Sequence, residues 1–330
     1  MKILVTGATS LLGRRTAEHL VARGDEVVCL QRGTAKVDCR QVFGDVRNQD
    51  TVRDAMAGCD AVIHAAAKVG VVGAWEDYRS VNVDGTASVV EAARRLGVGC
   101  LVHVSSPSVA HDGASLVGVG AGAPVVGRAG AAWYPESKAQ AEVLALDAVS
   151  PSLLVTAIRP HLIWGPGDTQ LVGRIVDRAR SGRLALVGGG RALIDTLYID
   201  NAASALVAAV DALRPQAACV GRAYVVANGE PRPIRELVAG ICAAAGVPFK
   251  PRSVPLRAAL GIGSAVERAW RQFKPNDEPP LTRFLAEQLG TAHWFDPRPA
   301  HDDLGWSPTV SIDDGLARLA NYFRSGSGAE

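Results

Sequence analysis

No apolar run in this 330-residue sequence approaches the roughly 18 residues that a membrane span requires. No basic-then-apolar leader precedes the first strand-like run. The expected location is therefore the cytoplasm, with at most peripheral contact with a membrane. A surplus of one charge is also missing. Lys and Arg total 35 against 33 Asp and Glu, and a net +2 offers little for nucleic acid to hold. Cys29, Cys39, Cys59, Cys100, Cys219 and Cys242 fall singly, never as Cys-x-x-Cys. They read as buried reduced thiols rather than a disulfide frame or metal ligands, and no metal site is expected. Short repeats and low-complexity tracts are absent as well. What is present, 48% hydrophobic and 21% charged residues, suits a globular protein with one large or two modest cores.

"KILVT", "EVVCL", "AVIHAA", "CLVHVSS" and "SLLVTAIRP" are continuous apolar runs, the mark of strands buried on both faces of a parallel sheet. Helical patterns at 11–23, 48–57, 75–97 and 133–148 alternate with them. The expected fold is α/β, a doubly wound parallel sheet of Rossmann type over 1–165 that later segments complete. Beyond residue 165 the alternation weakens. Helical segments near 169–182, 200–213, 233–245, 256–272 and 312–324 predict a smaller, mostly helical region over 166–330. The Gly- and Ala-rich stretch 114–132 reads as a lid or a plain surface loop, and 325–330 as a flexible tail.

"TGATSLLG", residues 6–13, joins the first apolar run to an amphipathic stretch: strand, glycine turn, helix. Gly7 permits the tight turn, and Gly13 lets the helix approach the strand. Free N–H groups at the helix start, at Ser10, Leu11 and Leu12, are placed to meet a pyrophosphate. Ser10 stands where a third glycine is often found, and its small hydroxyl leaves phosphate approach open. A purely structural turn is the other reading. At the end of the second strand, Gln31-Arg32 replaces the carboxylate that an NAD ribose wants. A guanidinium there suits a 2′-phosphate, so NADP(H) is favoured over NAD(H), with Arg14 and Arg15 nearby. The alternative is a solvated loop arginine.

"YPESK" sets Tyr134 and Lys138 four apart, on one face of a helix. Five Tyr and six Lys give about 0.1 such spacing by chance in a chain of this length. An ammonium beside a phenol favours the phenolate and draws its pKa from near 10 toward neutrality. Such a tyrosine exchanges a proton with a carbonyl or alcohol oxygen while hydride moves on the other side. In "SSPSV", Ser106 ends the fifth strand, where it either donates to the same oxygen or caps the next turn.

Together these residues resemble the extended short-chain dehydrogenase/reductases, the NAD-dependent epimerase/dehydratase superfamily, along essentially the whole chain. Thr6, Gly7 and Gly13 match that family's Thr-Gly-x-x-Gly-x-x-Gly turn, and Ser10 departs from it. "GDV" matches the adenine-binding position through Asp45 and Val46, and "HAAA" the cofactor-lining strand through Ala65 and Ala66. "RPHLIWGPGD" matches the segment whose Pro160 and Leu162 flank the nicotinamide. The resemblance implies an NAD(P)-dependent oxidoreductase with Tyr134 as acid/base. It gives Lys138 the ribose and the tyrosine's pKa, and Ser106 the substrate oxygen. The helical region would bind substrate, and a homodimer is compatible with it.

Nucleotide-sugar epimerases and dehydratases of that superfamily often carry an Arg in "RDFVYVDD" that grips the substrate diphosphate. Here the position is Ile194, in "IDTLYIDN", which counts against a sugar nucleotide. That stretch, with "EPPLTRFLAEQLGTAHWFD", resembles the 3β-hydroxysteroid dehydrogenase branch, and most of all the bacterial 2-alkyl-3-oxoalkanoate reductases of olefin and β-lactone pathways. The resemblance implies reduction of a 3-oxo group on a hydrophobic small molecule. Lys68 and His161 are then candidate partners for its carboxylate. "VPLRAALGIGSAVERAW" reads as a core-packing amphipathic helix or as a membrane-docking face. A steroid dehydrogenase, a nucleotide-sugar epimerase or dehydratase and a non-catalytic NAD(P)-sensing protein are the alternatives.

Overall fold

The computed structural model describes residues 1–70, 73–111, 114–127, 132–273, 279 and 281–326. The apolar runs form β1 (Lys2–Thr6), β2 (Glu26–Gln31), β4 (Ala61–His64), β5 (Cys100–Val104) and β6 (Leu154–Pro160). Two strands that the sequence reading left out, β3 (Arg40–Phe43) and β7 (Ala223–Val226), complete the edges. All seven pair in parallel, in the order β7-β6-β5-β4-β1-β2-β3. Winding reverses between β1 and β4, and a cleft opens there at the strand C-termini.

Side-chain alternation divides the core in two. Ile3 and Val5 face α1 (Leu11–Arg23) and a helix from the second half of the chain, Ile199–Ala212. Leu4 and Val28 face the opposite layer, α2 (Gln49–Met56), α3 (Gly85–Leu96) and α4 (Trp133–Leu146). The doubly wound fold expected from the sequence is thus observed. Residues 199–226 return to finish the sheet.

Of the other helices, Val172–Arg180, Ile234–Ala244 and Ile312–Arg324 gather around a third core that includes Trp164 and Tyr198, while Leu256–Phe273 and Arg283–Gly290 pack on each other in a smaller fourth one. A four-stranded sheet joins them, and the sequence reading did not foresee it. In it, Leu116–Val119 pairs in parallel with His293–Phe295, so the first part of stretch 114–132 is anchored rather than free. Residues 128–131 of that stretch, and 327–330 of the tail, lie outside the described residues. Leu256, Ala259 and Leu260 pack against Ala286 and Leu289, so one face of that amphipathic helix is core. No helix among the described residues is long and apolar enough to cross a membrane.

Gly13 is the tightest point of the β1–α1 junction. A Cβ there would lie 2.4 Å from the Gly7 carbonyl oxygen, a backbone atom that cannot swing aside. Gly13→Ala should therefore lower unfolding stability by about 1–3 kcal/mol, although alanine is the better helix former. Urea denaturation measures it, and an unchanged or raised midpoint would contradict the packing argument.

Candidate active site

The turn after β1 is closed by its own side chains. Gly7 has φ 78°, and a Cβ on it would stand 2.8 Å from Ala66 Cα, so only glycine fits both the backbone and the neighbour. Ser10, in the place of the expected glycine, caps α1. Its Oγ accepts from the Gly13 N–H at 3.0 Å and donates to the Gly7 carbonyl at 2.8 Å. The serine therefore stabilises the turn that the glycines shape.

Above it lies a cleft of about 320 Å³, lined by Gly7, Ser10 and Leu12 from the turn and by Arg32 from the end of β2. Asp45, Val46, Ala65, Ala66 and Pro160 face the same cleft, as do Ser106, Tyr134 and Lys138. Four expected residues do not line it. Thr6 and Gly13 are buried beneath the turn, Leu11 faces a neighbouring cleft, and Leu162 packs toward the third core while Ile163 takes the wall. Arg14 and Arg15 also turn to the neighbouring cleft, where Glu18 and Asp200 hold Arg15 at 2.7 and 2.5 Å. Arg32 stays exposed on the main cleft. Asp45 is clamped by Arg47 at 2.9 Å, and this bond, with help from the Arg32 charge, holds its carboxyl below the ordinary range.

Ser106 caps the short turn Pro107–Ala110, bonding Ser108, and also shares a hydrogen bond with the Tyr134 phenol. Burial pushes that phenol above its ordinary 10, and the Ser106 bond only partly offsets this. Lys138 Nζ donates to the Val104 carbonyl at 2.6 Å and lies 3.5 Å from His103 Nε2. Burial brings its ammonium down to about 8, with Glu142 opposing. The expected lowering of the tyrosine by Lys138 is not observed: the ammonium is held at the end of β5, and desolvation governs the phenol.

The three substrate candidates sit apart from this cleft. Lys68 reaches Asp77 at 3.8 Å and the Tyr78 ring at 5.1 Å, on the rim. His161 is buried against Phe295 and bonded to the Asp195 carbonyl, and burial lowers it to about 4, leaving no cation for a carboxylate. Ile194 is 3% exposed in the third core, because its register beside Arg232 and His293 turns it inward.

Sequence reasoning missed a buried polar chain under the site. The Ala66 N–H donates to Thr6 Oγ1 at 3.1 Å, and Thr6 bonds His64 Nδ1 at 2.8 Å. His64 Nε2 reaches Thr86 Oγ1 at 3.0 Å, and Thr86 donates to the Asn82 carbonyl. Asn82, on a π-helical turn leading into α3, donates to Ser137 Oγ at 2.9 Å, and Ser137 donates to the Tyr134 carbonyl. This order requires the His64 tautomer protonated at Nε2. Nothing in local spacing marks these residues, because the chain links β1, β4, α3 and α4.

Known proteins match along the whole chain. Residues 4–256 match the 3-beta hydroxysteroid dehydrogenase/isomerase family. The chain is 47% identical over 324 residues to a 2-alkyl-3-oxoalkanoate reductase of Stenotrophomonas maltophilia, covering 97% of this chain and 98% of that one. It is 30% identical over 336 residues to a 3-beta-hydroxysteroid dehydrogenase of Mycolicibacterium neoaurum, covering 98% and 91%. Among solved structures, MoeE5 in complex with UDP-glucose and NAD superposes with a TM-score of 0.75 over 99% of this chain and 100% of that one. Its 22% identity makes this a likeness of fold.

Burial lowers His64 and His293 to about 3, His161 to about 4, and His103 well below 6.5. Each is neutral in the fold, whereas the unfolded chain takes up a proton near 6.5. Their stabilisation is thus complete above 6.5 and lost as pH falls toward 3–4, by up to ~1.4 kcal/mol per unit for each ring. Asp195, raised by burial to about 6, works in the opposite sense. Urea midpoints should drop clearly between pH 7 and pH 5, and an equal or higher midpoint at pH 5 would contradict the neutral histidine chain.

Proposed function

This chain belongs to the 3-beta hydroxysteroid dehydrogenase/isomerase family and is an NAD(P)-dependent oxidoreductase, and on that premise we propose that it reduces the 3-oxo group of a 2-alkyl-3-oxoalkanoate to the 3-hydroxy acid. The observation that carries the reading is the meeting of the Ser106–Tyr134 hydroxyl pair and Lys138 with the Gly7 cradle in one cleft. The substrate class rests on the Stenotrophomonas relative, which is nearer in identity than the steroid enzyme.

The cradle fits a dinucleotide. Gly7, having no Cβ, keeps its floor close against Ala66, the α1 N-terminus opens onto it, and a guanidinium stands at its far rim. Gly7, Ser10 and Leu12 would hold the pyrophosphate, Asp45 and Val46 the adenine side, and Arg32 a 2′-phosphate. NADP(H) is the preferred cofactor on this reading. When bound, the nicotinamide supplies the hydride that reduces the ketone carbon.

Tyr134 gives its phenolic proton to the ketone oxygen, and Ser106 donates a hydrogen bond to that oxygen. Reduction consumes a proton, so a phenol whose pKa lies above 10 is in its working form at neutral pH. Lys138, largely protonated at pH 7 with a pKa of about 8, would hold the ribose through its ammonium.

Tyr134→Phe should reduce kcat by about 10²–10⁴-fold while leaving the NADPH dissociation constant nearly unchanged. More than about a tenth of wild-type kcat would remove Tyr134 from the acid role. Substrate class is read from a series of 2-alkyl-3-oxoalkanoates beside a 3β-hydroxysteroid and a sugar nucleotide. Each buried methylene adds roughly 0.8 kcal/mol, so kcat/KM should climb with chain length and then level off. A flat dependence with brisk steroid turnover would hand the assignment to the steroid branch. Arg32→Ala should weaken NADPH far more than NADH, and equal losses would leave the 2′-phosphate without its partner.

A further inference from the structure

Glu142 and Arg159 form an ion pair in which both side chains are fully buried. Arg159 Nη2 lies 2.5 Å from Glu142 Oε1, and Nε donates to Oε2 at 2.8 Å. The remaining guanidinium nitrogen donates to the carbonyls of Ala121 and Gly122. Three parts of the site meet here. Glu142 lies one helical turn beyond Lys138 on α4, and Arg159 immediately precedes the cleft-lining Pro160. Residues 121 and 122 follow the Leu116–Val119 strand.

Burying two charges costs desolvation that their attraction seldom exceeds, and an apolar pair of similar volume is often as stable. Stability therefore does not explain the pair. We propose that Glu142 and Arg159 are positioning residues: together they set the protonation of Lys138, and Arg159 clamps segment 116–122 against the catalytic helix. The proposal rests on the reading of Lys138 as the lysine of the reaction.

The groups around Lys138 support it. Tyr134 and Glu142 face it from its own helix, His103 and the Val104 carbonyl from β5, His64 from β4, and Arg159 stands beyond Glu142 on β6. Both histidines are neutral at pH 7, and the phenol keeps its proton. Glu142 and Arg159 are then the charged pair beside the ammonium: the Glu142 carboxylate raises it against burial, and Arg159, 2.5 Å from that carboxylate, offsets part of the pull. Removing either charge alone upsets that balance in a direction fixed by its sign.

The test measures the alkaline limb of kcat/KM and, without turnover, the pH dependence of the NADPH dissociation constant. Glu142→Gln leaves Arg159 uncompensated, so Lys138 should lose its proton about one pH unit lower. Arg159→Met leaves Glu142 uncompensated, and the limb should move up by about one unit. The double variant, a neutral pair expected to fold, should return near the wild-type limb. It should also be cleaved by protease within 116–122 at least about tenfold faster, because the clamp is gone.

Two single variants that shift in the same direction, or not at all, would overturn the charge-setting role. If a single variant does not fold, the double variant decides: a displaced limb overturns charge setting, and wild-type proteolysis overturns the clamp. Failure of the underlying reading is distinguishable, since Tyr134→Phe would then keep its turnover while these pH shifts were still read from NADPH binding.

Discussion

The site depends on one constraint, the junction where the sheet reverses its winding between β1 and β4. Parallel strands end there with their C-termini side by side, and something must hold the two ends at a fixed spacing while leaving the space above them open. Thr6 does this with a single hydroxyl that accepts from the Ala66 N–H and bonds His64. Because Gly7 has no Cβ, Ala66 can press against it at the same point. The hydrogen bonds then run on through Thr86, Asn82 and Ser137 to the backbone of Tyr134. The floor of the cofactor cleft and the helix carrying the proposed acid are thus parts of one buried polar chain, which works only if fully satisfied.

Burial shapes the chemistry of the groups at the end of this chain. It raises the Tyr134 phenol and lowers the Lys138 ammonium, moving the two toward each other. A tyrosine that keeps its proton suits ketone reduction, in which the side chain must give a proton up. The reverse reaction starts from the phenolate, which forms only at higher pH.

Much of this was legible in the sequence, for identifiable reasons. The five central strands are buried on both faces, so they read as unbroken apolar runs, and the helices between them follow their periodicity. The glycine turn and "YPESK" are local, with their spacing fixed by one turn or one helix. What could not be read depends on register. Ile194 occupies a position that aligns with a ligand-binding arginine, yet its pairing with Arg232 and His293 turns it into the core. His161 follows Pro160 directly, but it faces Phe295 rather than the cleft. Leu116–Val119 lies in a Gly-rich stretch without strand character and becomes a strand only because His293–Phe295 lies beside it. Glu142 did carry a signal, four residues after Lys138 on the same face, but its partner 17 residues on was visible only in three dimensions.

The central claim is a transfer of hydride to the carbonyl carbon at position 3, with a proton delivered to its oxygen. The most direct measurement uses NADPH deuterated at the transferable position of the nicotinamide, with a 2-alkyl-3-oxoalkanoate as substrate and mass spectrometry of the product. The expected product is a 2-alkyl-3-hydroxy acid carrying a single deuterium, located at C3. A product without deuterium, or with the label at another carbon, would contradict the claim.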